Sequence, residues 1–130
     1  MAVPKRIKIG GGYYKGYSCT VNSASGEYNA ILVNTAGGVL NSLSITPDQY
    51  GEGDTMKIEH YSDAAATGKV LAIVAEDIPN IGKGASILFD LPAGELVNNG
   101  QSIKFTYLNT ASVAMNVNLI AEYVGIIKTA

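Results

Sequence analysis

His60 is the only histidine in the chain and Cys19 the only cysteine, so chemistry built on an imidazole base or a thiolate has one residue of each kind to use. His60 falls in a run where Met56, Ile58 and His60 alternate with Lys57, Glu59 and Tyr61. Period-two alternation puts it on one strand face with Met56 and Ile58, the place of a core-edge side chain with a local hydrogen bond. Cys19 lies in Tyr17-Ser18-Cys19-Thr20-Val21, which reads as the start of a strand. Lys15 is near enough in sequence to lower a thiol pKa, but no catalytic-cysteine pattern surrounds Cys19, and a buried thiol is expected.

Other clusters fail on spacing. Residues 48–54, Asp-Gln-Tyr-Gly-Glu-Gly-Asp, gather three carboxylates on a bendable loop, as a hard cation requires. An EF-hand loop needs an acid at its third position, where this one has Tyr50. Gly10-Gly11-Gly12 lacks the Gly-Lys-Ser/Thr and following helix of a phosphate-binding loop. Gly82-Lys83-Gly84-Ala85-Ser86 runs into Ile87-Leu88-Phe89, a strand, so both are read as turn glycines. A carboxylate pair for glycoside hydrolysis needs only to meet in space, but there is no tryptophan to serve as a sugar platform. The expectation is a protein without enzymatic activity, with no cofactor and no metal.

Some set of elements must position these residues. Between about residue 18 and the end, short apolar runs are divided by turn signals every eight to twelve residues, the spacing of a sandwich or barrel. Strands are expected at residues 30–33 and 39–45, separated by the turn cluster 34–38 and ended by Thr46-Pro47-Asp48. Further strands are expected at residues 55–61, at 69–75, and at 86–91, closed by Pro92. Residues 69–75, apolar on both faces, predict a central strand, and residues 62–68 a connection with a helical turn. Asn98-Asn99-Gly100 predicts a tight hairpin between residues 95–97 and 101–107, because Asn-Gly supplies positive φ. Val113, Met115, Val117, Leu119, Ala121 and Tyr123 share one face of a long last strand. The fold class is all-β, an antiparallel β-sandwich with jelly-roll topology, ahead of an immunoglobulin-like sandwich, which would want a tryptophan and a cysteine pair.

The chain has 130 residues, the size of one domain, and is 47% hydrophobic but only 15% charged. A surface so poor in charge is usually partly covered. No run approaches the roughly 18 apolar residues of a membrane helix, and the first residues lack the apolar core of a signal peptide, so synthesis in the cytoplasm and no membrane partner are expected. The net charge of −2 is unevenly spread: every charge before Glu27 is positive, and from Glu27 onward eleven acids face five lysines. Two parts are expected, a flexible basic Gly/Tyr arm over residues 1–17 and a sandwich over residues 18–130. The arm, with Lys5, Arg6, Lys8, Tyr13, Tyr14 and Tyr17, is suited to an acidic partner: a neighbouring subunit, a capsid-like surface or, less readily, nucleic acid.

A charge-poor strand-rich body, a basic Gly/Tyr arm and no catalytic motif together resemble the small accessory proteins of tailed-phage heads, the decoration or cement proteins. The resemblance implies a structural protein on the virion surface, homotrimeric, with the major capsid protein as partner. In that picture the arm drapes over a neighbour and must bury its tyrosines, since ordering it costs about 1–2 kcal/mol per residue. The competing class is a carbohydrate- or other ligand-binding sandwich that presents loops such as residues 48–54.

Overall fold

The structure, a computed structural model, describes residues 6–33 and 37–129. Alternating apolar and polar residues give eight strands among the described residues: β1 (Arg6–Val21), β2 (Gly26–Val33), β3 (Gly38–Pro47), β4 (Thr55–Tyr61), β5 (Val70–Pro79), β6 (Ile87–Val97), β7 (Ser102–Asn109) and β8 (Met115–Thr129). They form two four-stranded sheets, β1-β8-β3-β6 and β2-β7-β4-β5, with every pairing antiparallel. The pairs β1–β8, β2–β7, β3–β6 and β4–β5 nest inside one another. The chain therefore makes one long antiparallel ribbon with its tip at β4–β5, and rolling the ribbon sets β8 beside β3 and β7 beside β4. This is the jelly-roll path expected from the sequence.

The core lies between the two sheets. Ile103, Phe105 and Tyr107 share the inward face of β7 and are buried, and Met115, Val117, Leu119, Ala121 and Tyr123 do the same on β8. Met56 and Ile58 on β4 and Leu43 and Ile45 on β3 complete the contact between layers. Burying a side chain such as Phe105 contributes about 2–3 kcal/mol. The Tyr123 ring is buried, and burial together with the neighbouring Tyr17 hydroxyl holds its phenol well above the ordinary range.

Four sequence expectations are corrected. First, β5 is the edge strand of its sheet, not a central one. Val74 and Ala75 pack toward the core while Val70, Leu71 and Ile73 face solvent, so apolarity on both faces here marks an exposed edge. Second, the turn at Asn98-Asn99-Gly100 forms, with the Gln101 amide donating to the Asn98 carbonyl at 3.0 Å and Gly100 at φ 88°. It joins β6 to β7, which lie in opposite sheets, and so makes an arch where a hairpin was expected. Third, Pro92 does not close its strand. β6 continues to Val97 through an irregular stretch where Leu40 pairs with Glu95 and Ser42 with Asp90, and this is an edge strand, where proline is tolerated. Fourth, residues 62–68 form a turn without a helix. Its Asp63 carboxylate accepts from the Thr67 and Gly68 amides and is held below the usual carboxylate range by them.

Candidate assembly surface

The basic segment is where sequence and structure differ most. From Arg6 onward the stretch expected as a free arm belongs to β1, which pairs with β8 from Arg6↔Thr129 to Val21↔Met115. The expected boundary at residue 18 falls inside this strand. A Gly/Tyr-rich segment is flexible alone, but a fifteen-residue partner strand supplies the ladder that orders it. β3 joins β8 only as far as Val124, so Arg6–Ile9 and Ile126–Thr129 continue past it as a two-stranded ribbon. Arg6 and Lys8 are placed on this ribbon, opposite Thr129 and Ile127, and Lys5 lies outside the described residues.

The three tyrosines separate by strand parity. Tyr13 stacks on the Tyr123 ring with centroids 5.6 Å apart. Tyr17 packs on the core and donates to the Val33 carbonyl at 3.2 Å, which also accepts from Lys15 Nζ at 3.0 Å. Tyr13 and Tyr17 thus close the end of the sandwich. Tyr14 points the other way, 69% exposed, and donates to Glu122 Oε2 at 3.0 Å; that carboxylate holds the phenol above its ordinary pKa. Of the three, Tyr14 alone reaches the outer face of the sheet.

That outer face was not legible as a surface from sequence. The register sets Ser18 (β1) against Asn118 (β8), and Asn118 against Thr46 (β3), whose hydroxyl lies 2.7 Å from that of Ser86. One step along, Gly16 and Ser44 flank Ile120, and Ser44 is followed by Leu88 on β6. Because its cross-strand neighbours are small, Ile120 is 47% exposed, and Leu88 is 65% exposed. The next row is Tyr14, Glu122, Ser42 and Asp90. Glu122 is already engaged by Tyr14 and by the Ser42 hydroxyl at 3.3 Å. The face is therefore broad, almost without free charge, and apolar near its middle.

The residues considered for chemistry are used internally. His60 is buried on β4; its Nδ1 lies 2.7 Å from Glu95 Oε2 on β6, and its Nε2 lies 2.9 Å from Gln101 Oε1. The Gln101 oxygen also accepts from the Asn98 amide, so Nε2 is a donor and the ring bridges the two sheets. Cys19 is fully buried, and burial pushes its thiol up to about 11. Lys15 is held at Val33, so it does not oppose that shift. A thiol reagent added to the folded protein should label Cys19 only as fast as the fold opens, and completely in denaturant. Immediate labelling in native buffer would contradict the burial.

The loop at residues 48–54 is also committed to structure. Asp48 Oδ1 accepts from the Asn116 amide at 2.8 Å. Asp54 is 1% exposed. Its Oδ2 accepts from the Tyr107 hydroxyl at 2.6 Å, and its Oδ1 from the Thr110 amide, the Thr110 hydroxyl and the Ala111 amide at 2.7–2.9 Å. Burial alone would raise its pKa, but these bonds outweigh it and the carboxyl sits below its usual range. Gly51 makes room for the arrangement, since a Cβ there would collide with Asp54 and the Tyr107 hydroxyl. Residues 82–85 form a turn, with the Ala85 amide donating to the Gly82 carbonyl.

No protein-family model matches the chain, and no curated protein matches it. Solved structures with a similar arrangement include the Yersinia pseudotuberculosis-derived mitogen, at 14% identity and TM-score 0.43, covering 84% of each chain. A chain of the cyanophage Pam1 capsid asymmetric unit is 14% identical with TM-score 0.43, covering 95% of this chain and 91% of that one. A chain of infectious bursal disease virus, Gx strain, is 12% identical with TM-score 0.42, covering 95% of this chain and 32% of its own. Viral proteins are thus among the structural neighbours. At these scores the likenesses carry no functional argument.

Proposed function

We propose that this chain is a non-catalytic structural protein of a virion, a decoration or cement protein that binds neighbouring capsid subunits of a phage head. The observation that carries the reading is the outer face of β1-β8-β3-β6, where Ile120 and Leu88 stand exposed among small uncharged residues. Exposed apolar surface with little charge suits burial against protein. The basic ribbon at one end of that face, with Arg6 and Lys8, extends the contact toward an acidic neighbour. The protein would be made in the host cytoplasm, reside on the capsid surface and work as a homo-oligomer, a trimer by analogy with its class. The ligand-binding alternative rested on the loop at residues 48–54, whose Asp48 and Asp54 are already hydrogen-bonded within the chain.

The test is co-sedimentation of the purified chain with accessory-free heads assembled from the major capsid protein of the same phage. Saturable binding at a fixed number of copies per head is the expected result. Absence of binding, together with a specific hit on a glycan array, would replace this reading with the ligand-binding one.

A further inference from the structure

We infer that the β5 edge is a second contact, through which two copies of this chain meet about a two-fold axis. This rests on the assembly reading above and names one partner within it. Among the described residues β5 has no neighbour on its outer side in the sheet β2-β7-β4-β5. Val70, Leu71 and Ile73 are exposed along it, Ile73 to 59%. An uncovered apolar edge invites association unless something covers it.

Charge selects the occupant. Lys69 stands just before the strand, and Glu76 and Asp77 stand in its second half, all three exposed. Among the described residues none of the three makes an ion pair. An antiparallel copy of β5 centred on Ile73 places Lys69 of each chain against Asp77 of the other, with Glu76 adjacent. Leu71 then faces Ala75, and Ile73 meets its own equivalent. The edge is thus complementary to itself, as a two-fold contact requires. Pairing of β5 with β4 is irregular at three places, so the edge is uneven and the contact rests on side chains more than on a continuous ladder.

Light scattering and sedimentation equilibrium on the full chain test this with two charge reversals. Lys69→Glu and Asp77→Lys are each expected to weaken self-association about tenfold, because attraction at both symmetric ends becomes repulsion. Mixing the two variants restores a one-to-one complex. At one end of that complex the introduced carboxylate of the first variant faces the introduced ammonium of the second, and at the other end the unaltered Lys69 and Asp77 face each other. Recovery on mixing also excludes misfolding as the cause of the loss. Self-association unchanged in both variants, or not restored on mixing, overturns the β5 contact while leaving head binding intact. A wild-type chain that stays monomeric at all concentrations overturns it as well. Failure to bind heads, by contrast, bears on the parent reading alone.

Discussion

Replacing Asp54 with alanine is expected to remove about 3–5 kcal/mol of stability and to lower Tm by roughly 10–20 °C. The carboxylate accepts four hydrogen bonds from one side chain on β7 and from residues 110–111 in the β7–β8 connection. Alanine leaves those donors facing a void. The Tyr107 hydroxyl also accepts from Asn80 Nδ2 at 2.9 Å, so the damage spreads to the β5–β6 connection. Asp54→Asn, which keeps the shape and one oxygen acceptor, should lose less than half as much. Thermal unfolding followed by circular dichroism checks both variants, and a Tm within about 2 °C of wild type for Asp54→Ala would refute the role given to this carboxylate.

The same group sets the acid response. Because the folded pKa of Asp54 lies below its unfolded value, its contribution is fully present above pH about 4 and is lost as pH falls through the folded value. Asp63 acts in the same direction. Asp54→Asn should therefore flatten the stability curve below pH about 4 and leave its shape near neutrality unchanged.

Ile120→Glu is expected to weaken binding to accessory-free heads about 30-fold or more while leaving Tm within about 2 °C of wild type. The side chain projects from the sheet between Gly16 and Ser44, so a carboxylate there stays in water in the free protein. In the docked state it would be buried without a partner. Leu88→Glu should act in the same direction. Unchanged head binding by both variants would move the contact off this face.

The fold was largely legible because strict alternation survives translation into structure. In β4, β7 and β8 the inward residues read from the sequence are the buried ones. What alternation does not encode is which sheet a strand joins. Asn98-Asn99-Gly100 determines a local bend, and the same bend serves a hairpin or an arch; the choice is made by β6 pairing with β3 and β7 with β2 and β4. The apolar run in β5 has the composition of a covered strand, and only topology reveals it as an edge. The Gly/Tyr segment looked like a free arm because its order comes from β8, about a hundred residues away. Tyr14 is singled out by residue type alone, and its exposure follows from strand parity, whereas Ile120 and Leu88 share a surface only through the register across four strands. Among the three acids of residues 48–54, nothing in the spacing singles out Asp54 as the one that turns inward.

The central claim is that this sandwich lies on a capsid through its outer β1-β8-β3-β6 face. An electron cryomicroscopy reconstruction of heads incubated with the purified chain tests it most directly. The account predicts sandwich-shaped density at repeating sites, with Tyr14, Leu88 and Ile120 turned toward the shell. Density touching the shell through the opposite sheet, or heads indistinguishable from untreated ones at saturating protein, would contradict it.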